Sequence, residues 1–270
     1  MSEIDKNTIP DVQSYVDHRH VAIDRVGIRR IRHPVTVVDR SGQKQHTVAT
    51  FSMTVFLPED RKGTHMSRFA QLLNEHDHDA HSVANFVELF REMNRRLDSS
   101  EGTIEMSFSY FINKTAPVSG KTGMVDYQVT LRSDIVRGRE PDTHVRVVVP
   151  VTTLCPCSKE ISDYGAHNQR SEITIDARLG AGKELFWEDL IEIAEKEASS
   201  ELYSQLKRTD EKFVTERAYD NPKFVEDLIR DITKRLDDQD SIRSYILEVE
   251  NFESIHNHSA YAMVSRDKDN

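Results

Sequence analysis

Apolar and polar residues alternate along most of this chain, in runs that come in pairs, and that pattern restricts the fold more than any other feature. A run of period two has one face for a core and one for solvent, so it belongs in a half-covered antiparallel sheet. "IRRIRHPVTVVD" (28–39) and "QKQHTVATFSMTVFLP" (43–58) flank "RSGQ", a hairpin signal. "THMSRFAQLLNEH" (64–76) then predicts a short helix. Val83, Phe86, Val87, Phe90, Met93 and Leu97 predict a second one, with Ser82 as its N-cap. The alternating runs "GTIEMSFSYFINKTA" (102–116) and "GMVDYQVTLRSDIV" (123–136) complete the first half.

Past the polar connection "RGREPDT" (137–143) the same order returns. Strands are expected in "HVRVVVPVTTL" (144–154) and "NQRSEITIDARL" (168–179). A long helix is expected over 184–208, then a second over 221–236 with Pro222 in its first turn, where proline is tolerated. Strands over 241–252 and 254–265 end the chain. No residue-level repeat relates the halves; only the element order does. The expected fold is α+β: two ββααββ units with antiparallel sheets and helices on one face. The expected division is a polar, poorly ordered N-terminal arm over 1–22, a first module over 23–138 and a second over 139–270.

Composition narrows the function. Two cysteines in 270 residues form no disulfide framework, and at positions 155 and 157 they are too close in sequence for an unstrained bridge. Nothing approaches the roughly 18 apolar residues of a membrane span, and no signal-like segment opens the chain. The expectation is a soluble cytoplasmic protein with no membrane partner. A formal net charge of -10 argues against nucleic acid as a partner. It leaves room for a small anionic substrate in a local basic pocket.

Four groups of residues carry candidate chemistry. Cys155 and Cys157 leave the end of an apolar strand, and His167 follows in a polar loop. They read either as metal ligand or nucleophile, or as small hydrophobes in the core. His256 and His258 lie two apart, on one face if their segment is a strand. Glu201, on the long helix, flanks the apolar ridge Leu190, Ala194, Ala198, Leu202; it reads either as a partly buried carboxylate in need of a cation or as an exposed helix glutamate beside Ser199 and Ser200. Glu216 is equally ambiguous. The run "EHDHDAH" (75–81) resembles a metal cluster, yet it sits in a polar stretch with no apolar wall, and it reads as a solvated loop. Thiolate, carboxylate and imidazole together would suit a divalent metal that activates water, hence a metal-dependent hydrolase.

"KGTHMSRF" (62–69), "PVTTLCPCSKEISDYGAHNQRS" (150–171), "LKRTDEKFVTERAYDNPKFVED" (206–227) and "NFESIHNHSAYA" (251–262) together resemble the type IB GTP cyclohydrolase I family, over nearly the whole chain from about His18. The resemblance implies a bimodular tunnelling fold and a homo-oligomer, a tetramer, with active sites between subunits. It implies conversion of GTP and water to 7,8-dihydroneopterin triphosphate and formate, the first step of tetrahydrofolate synthesis. The implied cofactor is a divalent metal, zinc or manganese or iron in its place. Cys155, Glu201 and a histidine of the His256/His258 pair, His256 first, are the implied ligands. His167 would hold the attacking water and Glu216 the purine edge, with Arg68, Lys207, Arg208 and Lys212 near the triphosphate. Two other readings stand beside it: a related tunnelling-fold nitrile reductase with a nucleophilic cysteine, and a non-catalytic zinc protein.

Overall fold

The computed structural model describes residues 10–136, 139–180 and 182–269. The alternating runs form strands β1 (Ile23–Val38), β2 (Lys44–Leu57), β4 (Gly102–Thr115), β5 (Thr122–Ile135), β6 (Asp142–Leu154), β7 (Asn168–Leu179), β8 (Ile242–Asn251) and β9 (Ala260–Asp267). A two-residue strand, β3 (Ala80–His81), lies between helices α1 (Met66–Glu75) and α2 (Val83–Arg96). Helices α3 (Pro156–Ile161), α4 (Trp187–Glu197), α5 (Arg208–Asp220) and α6 (Val225–Asp237) follow in the second half.

All the strands join one sheet in the order β3-β1-β2-β4-β5-β6-β7-β8-β9, antiparallel throughout except for β1 against β3. The register explains why the alternation mattered. Phe51, Met106, Leu131, Val145, Ala177 and Tyr245 are successive cross-strand partners, and every one is buried. Their neighbours Thr50, Ser107, Thr130, Arg146, Asp176 and Ile246 form the parallel row on the other face, which is mostly polar. The apolar stripes of α1, α2, α4 and α6 (Phe69, Phe90, Leu190 and Ile232 among them) join the strand residues in a single core. Each such side chain contributes about 1.5–3 kcal/mol when fully buried. A slip of one residue in any strand would turn its core row to solvent.

Several expectations need correction. The halves do not carry separate sheets: β5 pairs with β6 from Gln128↔Val148 to Asp134↔Asp142, so sheet and core run across the expected 138/139 boundary. Residues 137 and 138 of that connection lie outside the described residues, as do residues 1–9 of the expected arm. The rest of the arm is held, with Asp17 N–H donating to Asp60 O at 2.9 Å and Lys62 N–H to Tyr15 O at 3.0 Å. The long helix over 184–208 stops at Glu197. Ala198, Ser199 and Ser200 run extended beside β6, where Ser199 Oγ accepts from Leu154 N–H at 3.1 Å and Ser200 N–H donates to Thr152 O at 3.2 Å. Serine hydroxyls that capture backbone groups compete with helix continuation, which is why apolar spacing alone overran the end. Helix α5 has only Asp210 and Ala218 buried, so it carries almost no periodic signal. Pro222 precedes α6, whose N-cap is Phe224, rather than lying in its first turn. The Ser82 cap is present, its side chain accepting from Asn85 N–H at 3.2 Å.

Candidate active site

Strand β6 delivers Cys155 to the N-cap of α3, and Pro156 at the first helical position turns the chain out of the sheet. The strand therefore ends at Leu154 instead of continuing through both cysteines, and Cys157 is exposed while Cys155 is half-buried. Cys155 Sγ accepts from Ser158 N–H at 3.4 Å. The β6–β7 ladder continues one step past Leu154↔Asn168: Cys155 N–H donates to His167 O at 3.1 Å. His167 N–H in turn donates to Ser158 Oγ at 3.2 Å. Cysteine and histidine, twelve positions apart in sequence, are thus fixed to each other through backbone.

The imidazole is fixed as well. His167 Nδ1 lies 3.1 Å from Gln169 Oε1, and Gln169 Nε2 donates to Thr153 Oγ1 at 3.0 Å. Two other segments close the space. Lys223 N–H donates to Leu154 O at 3.0 Å, bringing the start of α6 with Phe224 and Glu226 against the strand end. The loop between β8 and β9 brings Glu253, His256 and His258. Those two histidines are in that loop and not on a strand, because β9 begins only at Ala260. They still act as a pair, their rings stacked with centroids 5.0 Å apart and planes 14° from parallel. The resulting cavity of about 440 Å³ holds Cys155, Cys157, His167, His256 and His258. It is within the size range of small-molecule sites.

The remaining sequence candidates lie elsewhere in the chain. Glu201 is a half-buried ion-pair hub: it contacts Lys114 Nζ, accepts from Tyr203 OH at 2.8 Å and from Arg217 Nη1 at 3.0 Å. Burial pushes its carboxyl pKa up, but Lys114 and the other donors outweigh that and hold it below the usual range. Glu216 is exposed on α5 and pairs with Lys212 one turn earlier. Lys207 caps α5, its N–H donating to Asp210 Oδ2 at 2.8 Å, and Arg208 opens the helix. Arg68, on α1, donates to Arg96 O at 3.0 Å. Within one chain, then, Glu201, Glu216, Arg68, Lys207, Arg208 and Lys212 do not line the cavity of Cys155.

The donor types around that cavity, two thiols, three imidazoles and the carboxylates of Glu226 and Glu253, fit a borderline divalent metal. Among the described residues no three His, Cys, Asp or Glu side chains converge tightly enough to hold one. That includes "EHDHDAH", where His76 Nδ1 is occupied by Asp79 Oδ2 at 2.5 Å and His81 is buried in β3. Burial of His81 lowers its pKa.

Gln169, Asn251, Glu226 and Glu253 are among the cavity residues that the sequence reading did not single out. Asn251 is 2% exposed and its buried Oδ1 has no partner. A signal for two of them existed. Gln169 and Asn251, with Thr153 and Ser171, are polar residues at strand positions whose parity is otherwise apolar, next to Val151, Ile173 and Val249. Buried polar residues at core parity mark a site when they cluster at one end of adjacent strands.

Residues 9–262 match a family described as type I GTP cyclohydrolase folE2. The chain is 58% identical to GTP cyclohydrolase FolE2 of Nitrosococcus oceani over 261 residues, covering 96% of each. It is 56% identical to GTP cyclohydrolase FolE2 of Nitrosomonas eutropha over 261 residues, again 96% of each. In solved structures its fold resembles a hyper-thermostable AgUricase mutant, with a TM-score of 0.54 at 7% identity over 91% of this chain and 92% of that one. Urate oxidase from Bacillus sp. TB-90 gives 0.50 at 8% identity over 91% and 100%. Those two likenesses speak to the α+β fold alone. Across nearly its whole length, by family match and by relatives more than half identical, the chain belongs to the type I GTP cyclohydrolase FolE2 family.

Proposed function

We propose that this protein is a metal-dependent GTP cyclohydrolase I of the type IB kind. It converts GTP and water to 7,8-dihydroneopterin triphosphate and formate in folate biosynthesis. Its architecture is read as two tunnelling-fold modules, 23–138 and 139–270, sharing the continuous sheet. The observation that carries the proposal is Cys155 and His167 locked across one strand pair at a cavity bordered by His256 and His258.

A divalent metal held by Cys155 with one of the histidines and a carboxylate would lower the pKa of water toward neutrality for attack at purine C8. The residues of the chain do the rest. With Nδ1 held by Gln169, His167 keeps Nε2 for taking a proton from the attacking water as the O–C8 bond forms. It returns that proton to the departing ring nitrogen as the imidazole ring opens, the ordinary work of a positioned imidazole. The carboxylates within reach in the same chain are Glu226 and Glu253. Glu201 and Glu216 serve only if a neighbouring subunit brings them. That fits a homo-oligomer, read as a tetramer, in which α5 faces a neighbour: Phe213 and Tyr219 of α5 are exposed alongside Glu216. A carboxylate presented that way accepts two N–H donors of a guanine edge in charge-assisted bonds. Arg68, Lys207, Arg208 and Lys212 remain the cations proposed for the triphosphate.

The paired variants Cys155→Ala and Cys157→Ser test the assignment. Cys155→Ala is expected to lose bound metal and turnover together, whereas Cys157→Ser keeps both. Near-normal turnover of Cys155→Ala removes the basis of the proposal. Turnover lost in both variants with metal retained points instead to a nucleophilic cysteine pair.

A further inference from the structure

We infer that Gln169 is a positioning residue that decides which nitrogen of His167 carries the proton, through a buried relay running from the imidazole into the sheet. The inference deepens the proposed role of His167 and rests on it. The relay runs from His167 Nδ1 to Gln169 Oε1 at 3.1 Å, from Gln169 Nε2 to Thr153 Oγ1 at 3.0 Å, and from Thr153 Oγ1 to Ser171 Oγ at 2.7 Å. Gln169 is 6% exposed, Thr153 0% and Ser171 1%, so water does not compete for these contacts. Among the described residues, the other polar group at Nδ1 is Ser254 Oγ, at a longer 3.4 Å.

Three features make the arrangement a device rather than a chance contact. Gln169 and Ser171 have one parity on β7, His167 precedes the strand at the same spacing, and Thr153 is the register partner of Gln169 on β6, so the backbone itself lines the groups up. Both ends of the Gln169 amide are engaged, so it can turn over only if the Thr153 and Ser171 hydroxyls reverse with it. And the amide carbonyl, not the amide N–H₂, faces the imidazole. A carbonyl there accepts from Nδ1–H, which leaves the lone pair on Nε2. The opposite tautomer would put N–H at Nε2, where the ring could neither accept a proton nor bind a metal. The same groups reappear as polar residues at core parity. The site end of the sheet gives up apolar packing to set one imidazole.

The test begins with the wild-type protein as purified. Among its twelve histidines, His167 is assigned in a histidine-selective ¹⁵N spectrum by the signals absent from His167→Asn. The expected signature is protonation at Nδ1 and a bare Nε2; a wild-type spectrum with the proton on Nε2 overturns the inference. Gln169→Met keeps the volume and removes both polar ends. It is expected to shift His167 toward the Nε2–H form that free imidazole side chains prefer. Turnover with GTP should fall roughly 10–100-fold in kcat, with KM little changed, the usual cost of losing such a partner. Gln169→Glu, whose carboxylate accepts the same N–H, should keep the tautomer and most of kcat. Gln169→Met with an unchanged spectrum, or Gln169→Glu as impaired as Gln169→Met, also overturns it. If Gln169→Met does not fold, the wild-type and Gln169→Glu spectra decide. The spectra need no GTP, so a wild-type protein without cyclohydrolase activity would defeat the functional reading while the tautomer is still measured.

Discussion

Replacing Lys114 with Met removes the cation of a largely buried charge cluster that ties β4 to Glu195 of α4 and to Glu201. The Lys114 side chain is 9% exposed and sits between Glu195, 12% exposed, and Glu201, 22% exposed. Its Nζ lies 2.7 Å from Glu195 Oε1 and also contacts Glu201. After Lys114→Met, Glu201 still has Arg217 and Tyr203, but Glu195 keeps only the Tyr127 hydroxyl at 2.6 Å. Removing one member of a buried pair costs about 3–5 kcal/mol, because a charge is left without its counter-charge. One carboxylate here retains an arginine, so the lower end applies, about 3 kcal/mol. At roughly 2–4 °C per kcal/mol for a chain this size, the midpoint should fall by about 6–12 °C.

The pH dependence gives a second reading of the same cluster. Lys114 helps hold the folded pKa of Glu201 below its unfolded value, so this stabilisation is present above the ordinary glutamate range. It is lost as pH falls through the depressed folded pKa. The deficit of Lys114→Met should therefore be full at pH 7 and shrink in acid. Equilibrium urea unfolding at several pH values, with Lys114→Met, Glu195→Gln and the double variant, measures both effects. The double variant should be more stable than Lys114→Met alone. A Lys114→Met deficit below about 1 kcal/mol, the range of exposed pairs, would mean that this cluster is not a buried ion pair in energetic terms.

Three other outcomes are expected. Glu188, whose Oε2 is buried without a partner, has its pKa raised by burial, so its folded form binds protons more tightly than the unfolded chain and stability falls as pH rises past the ordinary glutamate range. Glu188→Gln should therefore melt higher than wild type at pH 7 and converge with it near pH 4; a lower midpoint at pH 7 contradicts this. Glu216→Gln should weaken GTP binding tens-fold with metal content unchanged, since an unmade charged hydrogen bond costs about 2 kcal/mol; a titration with unaltered affinity removes the anchor role. His167→Ala should keep metal while turnover drops roughly 10²–10⁴-fold, and metal loss in step with activity would make His167 a ligand instead.

The sheet was legible because its signal is local and repeated. Each strand of the pairs carries its own alternation, and the register only had to match one apolar row to the next, as Phe51 meets Met106 and Met106 meets Leu131. The helix after Trp187 was legible at its start and not at its end. Ala198 continues the apolar spacing, but the Ser199 hydroxyl and the Ser200 backbone find partners on β6 that only the tertiary structure supplies. Helix α5 could not be read, since an exposed helix has no apolar stripe to reveal it. The pairing of Cys155 with His167 follows from β6–β7 register, which no single segment encodes. The same holds for Glu226, which reaches the cavity through the Lys223–Leu154 backbone bond. His256 and His258 were noticed for a strand spacing they do not have; a loop stacks them all the same. The polar residues at core parity, Thr153, Gln169, Ser171 and Asn251, were readable in principle. They stand out only after the strands are known to be neighbours.

The most direct measurement is release of formate from GTP labelled at C8, followed with the purified wild-type protein and with Cys155→Ala, each supplied with zinc or manganese. Labelled formate is expected from the wild type, one per GTP consumed, with matching growth of pterin fluorescence and neither signal from Cys155→Ala. Metal-replete wild-type protein that leaves the C8 label in GTP, or a Cys155→Ala variant that releases it at the wild-type rate, would rule out a Cys155-dependent cyclohydrolase.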